Sequence, residues 1–140
     1  MTQTPLMDAA ALNRFLQTDF PQAAHFVVED AAALSARVRL PVAEGDLRPG
    51  GTVSGPTMFA LADVSIYVAV LAMIGPVALA VTTNASIDFM RKPQAGRDLI
   101  AQARLLKLGR VLAVGDVLIR SDGDEAPVAR ASLTYSIPPR

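Results

Sequence analysis

The chain has 140 residues, 51% of them hydrophobic, which suits one domain with a sizeable core. Thirteen basic and thirteen acidic residues cancel, so general nucleic-acid binding, which needs a basic surplus, is not expected. The sequence has no cysteine and one histidine, which excludes disulfides, a thiolate metal site and a cysteine nucleophile. We therefore expect a single domain over residues 1–140. No basic segment precedes an apolar one at the N-terminus, so we expect a cytoplasmic protein.

Residues 1–21 are predicted to form an N-terminal helical segment. Apolar side chains recur at helical spacing over residues 4–20, and Pro21 stops the helix. Two strands of a hairpin are predicted next, over residues 24–30 and 35–42. His25 lies in the first of them, and without a second histidine or a cysteine we expect a strand-edge residue rather than a base or a metal ligand.

Residues 54–74 form the predicted central helix. Ser54 is a good N-cap, proline follows in the first turn, and Gly75-Pro76 ends the helix after about 31 Å. Asp63 is the one charged residue between Arg48 and Asp88. The length fits a membrane span, but an acid at mid-helix costs about 2.5–3.5 kcal/mol on insertion scales and no basic cluster flanks either end. The pattern therefore favours a core helix wrapped by protein, with no membrane.

Four further strands are predicted over residues 77–90, 98–108, 111–121 and 128–137, and short turns between them favour antiparallel pairing of consecutive strands. In the first of these, simple alternation puts Thr82 and Asn84 on one face and Thr83 and Ala85 on the other. The order of elements predicts an α+β fold, in which about six antiparallel strands curl around the central helix.

Three stretches carry a family resemblance. Residues 51–56 (GTVSGP) lead into Asp63, residues 82–93 (TTNASIDFMRKP) form a strand that ends in Arg-Lys-Pro, and residues 106–110 (LKLGR) form a hairpin. In this order the stretches resemble the hotdog-fold thioesterases of the phenylacetate-degradation (PaaI-like) type. Their usual signature is Gly-x-Val-His-Gly-Gly with an acid nine residues after the histidine. Asp63 lies nine residues after Ser54, which occupies the histidine place.

The resemblance implies an acyl-CoA thioesterase that works as a homodimer or as a dimer of dimers and uses no metal and no cofactor. It makes Asp63 the general base or nucleophile that acts on the thioester carbonyl. It makes the Gly55 backbone N–H the oxyanion donor, which agrees with the partial positive charge of a helix N-terminus. Thr82 aligns with a hydroxyl that positions the attacking water in some relatives.

Two positions depart from the family pattern. Ser54 stands in place of the histidine, and Arg48 stands where many relatives have an asparagine. Ser54 still caps the helix but cannot act as an imidazole, and Arg48 is free to pair with Asp63 or to contact a phosphate. The predicted substrate-binding residues are Ser54, Arg48, Tyr67, Arg91, Lys92 and Arg110.

Alternatives stay open at this point. Asp63 is either catalytic or a buried structural acid paired with Arg48 or a strand hydroxyl, and Tyr67 is either an acyl contact or a core tyrosine. The missing histidine favours a second function, a non-catalytic acyl-CoA or aromatic-acyl binding protein on the same fold. A hydratase or dehydratase of this fold would typically use a histidine together with the acid.

Overall fold

The computed structural model describes residues 4–139, so the parts of the predicted domain and N-terminal segment at residues 1–3 and 140 lie outside it. Two α-helices and six strands follow one another, with short 3-10 turns at Pro21–Ala23 and Glu44–Asp46. The elements are α1 (Ala9–Asp19), β1 (Val27–Ala32), β2 (Ser35–Leu40), α2 (Gly55–Ile74), β3 (Val81–Phe89), β4 (Leu99–Leu108), β5 (Leu112–Ser121) and β6 (Pro127–Ser136).

The six strands form one antiparallel sheet in the order β1-β2-β4-β5-β6-β3. This confirms the predicted hotdog architecture, in which the sheet curls around α2. One pairing was predicted wrongly: β3 and β4 are consecutive but not neighbours, because β3 pairs with β6 and β4 with β2 and β5. Residues 90–98 are too long and too irregular for a tight hairpin, so they carry the chain across the sheet. β3 is consequently an edge strand.

Helix α2 is buried on nearly every side, with Ile66, Val68 and Leu71 fully inaccessible. By length and composition it is the one described helix that could span a membrane, yet 72% of its most apolar window is buried inside the protein. Its predicted ends are confirmed. The Ser54 hydroxyl caps the first turn, and Gly75 leaves the helix at φ 93°, a conformation that glycine adopts without strain.

Gly115 of β5 lies against both α2 and the neighbouring strand β4. A β-carbon built on Gly115 would lie 2.6 Å from Cδ1 of Ile66 and 2.8 Å from the carbonyl oxygen of Arg104. Real β-carbons do not approach other atoms so closely, so only glycine fits here without displacing the Ile66 side chain and strand β4.

The N-terminal part differs from the prediction at its boundaries. Helix α1 begins at Ala9 rather than at residue 4, because Asp8 supplies the cap by accepting a hydrogen bond from the Ala11 N–H at 2.8 Å. Strand β1 begins at Val27, so His25 precedes the strand. His25 is exposed and stacks on Phe26 at a centroid distance of 4.2 Å.

A β-bulge in β3 overturns the predicted alternation. The pairing with β6 shifts between Thr82 and Asn84, and the extra residue is Thr83. Because a bulge moves the following residues to the opposite face, Thr82 points inward on the same side as Ala85 and Ile87, which pack against the core. The predicted placement of Thr82 beside Asn84 is therefore wrong.

Candidate active site

Asp63 lies in the middle of α2 and is half-buried. Its Oδ1 accepts a hydrogen bond from the Thr82 hydroxyl at 2.5 Å and another from the Tyr135 hydroxyl at 2.7 Å. The same Tyr135 oxygen lies 3.0 Å from the Asp63 carbonyl oxygen, so its single hydrogen is shared between the side chain and the backbone of Asp63. Two strands thus hold one oxygen of this carboxylate.

The second carboxylate oxygen is left open. None of residues 4–139 donates a hydrogen bond to Oδ2 of Asp63. No side-chain polar atom of the described residues is both buried and unpaired, so Oδ2 is in contact with solvent. A carboxylate with one held and one free oxygen is arranged to accept a proton from a molecule that approaches the free side.

No cation neutralises Asp63 within the described part of the chain. Of the two structural partners weighed for it, Arg48 forms no ion pair with the carboxylate, whereas strand hydroxyls do bind it. Both hydroxyls donate to the same oxygen, Oδ1, so the other oxygen of the Asp63 carboxylate remains without a hydrogen bond from residues 4–139. Residues 4–139 also contain no cluster of three or more acidic or histidine side chains suited to a metal ion.

Tyr135 is a site residue that the sequence did not suggest. Alternation along β6 places it on the inward face beside Leu133 and Ala131, and the structure confirms that face. Nothing in the sequence connects it with Asp63, however, because the two residues are 72 positions apart. Burial and then the nearby Asp63 charge raise the pKa of Tyr135 far above its usual value, so its hydroxyl stays protonated and can donate.

Gly55 lies at the N-terminus of α2, beneath the ring of Phe89. A cavity of about 390 Å³ opens here between the helix start and the end of β3, and it is lined by Arg48, Thr52, Val53, Gly55, Met58, Phe89, Met90, Arg91, Lys92 and Pro93. The structure thus brings four predicted site residues, Gly55, Arg48, Arg91 and Lys92, together. The loop before the helix reaches this point through Gly50 and Gly51, both at positive φ.

Gly55 and Asp63 are eight residues apart on one helix, which corresponds to about 12 Å along its axis. An oxyanion donor must lie about 3 Å from the reacting carbonyl oxygen. Within one chain, therefore, the amide of Gly55 and the carboxylate of Asp63 cannot serve the same thioester.

The remaining predicted residues are spread over the molecule. The Ser54 hydroxyl caps the helix, donating to Thr57 Oγ1 at 2.9 Å and accepting from the Thr57 N–H at 3.4 Å. Tyr67 is buried and donates to the Ala78 carbonyl oxygen at 2.9 Å, as a core tyrosine does. Arg110 lies at the opposite end of the sheet from the Gly55 cavity, in a separate hollow. Whether Ser54, Tyr67 or Arg110 contacts a substrate stays a prediction.

Residues 50–128 match the model of the Thioesterase superfamily. A candidate esterase from Deinococcus radiodurans is 32% identical over 118 residues, which cover 80% of this chain and 77% of that protein. The crystal structure of a candidate thioesterase from Silicibacter sp. TM1040 is 59% identical and covers 99% of this chain and 97% of that one, with a TM-score of 0.91. A mutant form of the phenylacetic acid degradation protein PaaI from Thermus thermophilus is 29% identical, with a TM-score of 0.71 and coverage of 85% and 98%.

Proposed function

Because this chain belongs to the hotdog-fold thioesterase superfamily, of the PaaI-like type, and is a thioester hydrolase, we propose that its substrates are acyl-CoA thioesters and that Asp63 activates the attacking water. The observation that carries the proposal is the state of the Asp63 carboxylate. It sits in an apolar helix, forms no ion pair with any of residues 4–139, and keeps one oxygen open.

The proposed reaction uses Asp63 Oδ2 as a general base. A water molecule gives one proton to Oδ2 while its oxygen bonds to the thioester carbon. The tetrahedral oxyanion is held by a backbone N–H at a helix N-terminus. When it collapses, the C–S bond breaks and the thiolate of CoA takes up the proton, which leaves a free acid and CoA. No cofactor is needed for this step.

The 12 Å between Gly55 and Asp63 argues for a second copy of the chain at each site. Thr82 and Asp63 lie at one end of β3, and Gly55 and Phe89 lie at the other. If two β3 strands pair antiparallel about a twofold axis near Ala85, residue 82 of one copy faces residue 88 of the other. The Gly55 amide of one copy then approaches the Asp63 carboxylate of its neighbour, and the dimer holds two equivalent sites.

The surface beside β3 supports this pairing. β3 is a nine-residue edge strand without proline or lysine, and such edges normally pair or are covered. Large apolar side chains are exposed along it, with Val81 56%, Phe89 51% and Met90 43% accessible. Phe59, half-way between Gly55 and Asp63 on α2, is also exposed. An exposed apolar strip of this kind is typical of a homodimer interface. Association of two such dimers would give a dimer of dimers.

The cations of the Gly55 cavity suit the phosphates of CoA. Arg48, Arg91 and Lys92 line its rim and are exposed. Arg91 uses one guanidinium nitrogen to donate to the Pro127 carbonyl oxygen at 2.6 Å, which fixes its position. We propose that the CoA nucleotide binds at this rim while the thioester reaches the amide of Gly55, and that Arg110 is contributed by the second copy of the chain.

The test of the proposed chemistry is the turnover of a panel of acyl-CoAs by the wild-type protein and by Asp63→Asn. Asparagine keeps the shape of the side chain but cannot accept the proton, so we expect kcat to fall about 10²- to 10⁴-fold with CoA-ester binding retained. Wild-type speed in the variant would overturn the mechanism. If the wild-type protein binds CoA esters and releases no thiol, the acyl-CoA binding alternative holds.

Subunit complementation tests the shared site. Asp63→Asn and Gly55→Val each damage one half of it, so each homodimer is inactive. Unfolding and refolding the two together gives mixed dimers in which one site carries both lesions and the other carries none. We expect about a quarter of wild-type activity to return from an equal mixture. If no activity returns although mixed dimers form, both halves of the site belong to one chain.

A further inference from the structure

Tyr135 and Thr82 are direct partners across β6 and β3, so their side chains point to the same face of the sheet, and the β-bulge after Thr82 keeps Ala85 and Ile87 on that face as well. Both hydroxyls therefore point at Asp63 from the sheet, and both bind Oδ1 rather than one oxygen each. These two hydrogen bonds make the two oxygens of the Asp63 carboxylate different from each other. Oδ1 is fixed to the sheet, and Oδ2 faces the open side.

Of the two donors, Tyr135 is the more rigidly placed. Its ring is 3% exposed and packs beside Tyr67 at a centroid distance of 6.2 Å. A tyrosine has only two side-chain torsions, so a buried ring leaves its hydroxyl little freedom. Its second contact, to the Asp63 carbonyl oxygen at 3.0 Å, ties the side chain to the backbone of the helix that carries the acid.

We propose that Tyr135 is a positioning residue for hydrolysis, which holds Oδ1 of Asp63 so that Oδ2 is the oxygen that takes the proton from water. This inference rests on the proposed function of Asp63. Tyr135 does not touch the substrate and acts only through Asp63. Thr82 shares the task from β3, so the carboxylate is fixed from two strands.

The groups around Asp63 make a pH profile informative. Among the described residues, Tyr135 faces it from β6, Thr82 faces it from β3 without titrating, and Tyr67 of α2 lies next to Tyr135. No cation of residues 4–139 is within ion-pair distance of it. Removing a donor to a carboxylate favours its protonated form, so the acidic limb of the rate profile should move to higher pH.

The experiment compares Tyr135→Phe with Ser65→Ala. Each removes one buried hydroxyl that binds a backbone carbonyl, but only the first removes a donor to the carboxylate. We expect Tyr135→Phe to lower kcat about ten- to a hundredfold, the fold-change for one hydrogen bond to a charged group, with little change in KM. The acidic limb of its kcat/KM profile should move to higher pH, whereas that of Ser65→Ala should stay at the wild-type position.

Equal pH profiles and equal losses of kcat in the two variants would overturn the inference, because a merely structural hydroxyl would give that result. Thermal unfolding of both variants identifies any loss of folded protein, and rates are compared per folded molecule. Asp63→Asn, measured in the same assay, separates the two proposals. If Asp63→Asn is inactive and Tyr135→Phe is normal, only the role of Tyr135 fails; if Asp63→Asn is fully active, the proposed function fails as well.

Discussion

Gly55 lies against the ring of Phe89: a β-carbon on the glycine would stand 3.3 Å from Cζ of that ring. Gly55 and Phe89 both line the cavity at the start of α2, so a side chain at residue 55 would occupy the space beside the ring. The identity of residue 55 therefore controls access to the proposed oxyanion donor.

Gly55→Ala is expected to lower turnover about tenfold while leaving the free energy of unfolding unchanged or slightly higher. Alanine keeps the N–H and favours the helix, but its methyl group crowds Phe89 and the path to the amide. The matched control is Gly45→Ala, because a β-carbon at Gly45 meets nothing within 4 Å. Acyl-CoA turnover and chemical denaturation of both variants check the prediction. Wild-type turnover in Gly55→Ala would show that this opening does not limit access.

Lys92→Glu is expected to raise KM for acyl-CoAs about two- to fivefold, the effect of one exposed charge pair. Lys92 is exposed at the rim of the Gly55 cavity, where the nucleotide phosphates are proposed to bind. The difference should shrink at high salt and disappear for thioesters of N-acetylcysteamine, which carry no phosphate. Arg14→Glu, an equal charge change on exposed α1, is the control. If both variants raise KM equally, net charge rather than a phosphate site is responsible.

Ser54→Ala is expected to reduce the free energy of unfolding by about 0.5–1 kcal/mol, at the lower end for an N-cap because its bond from the Thr57 N–H is long at 3.4 Å. Asp8→Ala, which removes the shorter cap of α1, should cost at least as much. Urea denaturation measures both. Removal of a serine nucleophile typically lowers turnover about a million-fold. A loss of that size in Ser54→Ala would mean that Ser54 attacks the thioester, which would contradict the proposed role of Asp63.

Arg39 makes part of the stability depend on pH. Its guanidinium pairs with Glu29 at 2.6 Å, Asp98 at 3.0 Å and Asp122 at 2.9 Å, which joins β2 to β1 and to the turns around β4 and β5. The hydrogen bond from Arg39 holds the pKa of Asp122 below its usual value. The stabilisation of the folded protein by the Arg39–Asp122 ion pair is therefore complete above about pH 4, the pKa of an aspartate in the unfolded chain. It is lost as the pH falls through the lower pKa of Asp122 in the folded protein.

Arg39→Gln should therefore lower the melting temperature by several degrees at pH 7, and its difference from the wild-type protein should narrow at acid pH. The control is Arg130→Gln, because Asp88 is the one ion-pair partner of Arg130 among residues 4–139 and both side chains are more than half exposed. Melting curves from pH 7 down to pH 3 measure the effect. A difference that stays constant over this range would show that the carboxylates around Arg39 do not stabilise the fold.

The sequence predicted the central helix to the residue, because its signals are local. Ser54 caps it, Gly75-Pro76 ends it, and the lone Asp63 stands out against an apolar background. The curled antiparallel sheet followed, since nothing else hides such a helix in a chain of this length. The start of α1 was harder to place because a helix can begin at more than one capping residue, and Asp8 rather than the Thr4 region supplies the cap.

The site was only partly predictable. Thr82 was placed on the wrong face by alternation, because a bulge depends on how β3 meets β6 and leaves no local mark at Thr83. The contact of Tyr135 with Asp63 joins residues far apart in the chain. The eight-residue spacing of Gly55 and Asp63 was visible from the start, but its meaning depends on β3 lying at the edge of the sheet.

The fit of Gly115 against Ile66 has a consequence for how the protein tolerates mutation. Ile66 is about one turn of α2 beyond Asp63, so a side chain at position 115 would displace the tip of the Ile66 side chain and the Arg104 carbonyl of β4, beside the segment of helix that carries the acid. Gly115→Ala would then behave as a lesion of the proposed catalytic centre, although the residue lies on another element and has no reactive group. In a screen of random variants, position 115 should stand among the least permissive in the chain.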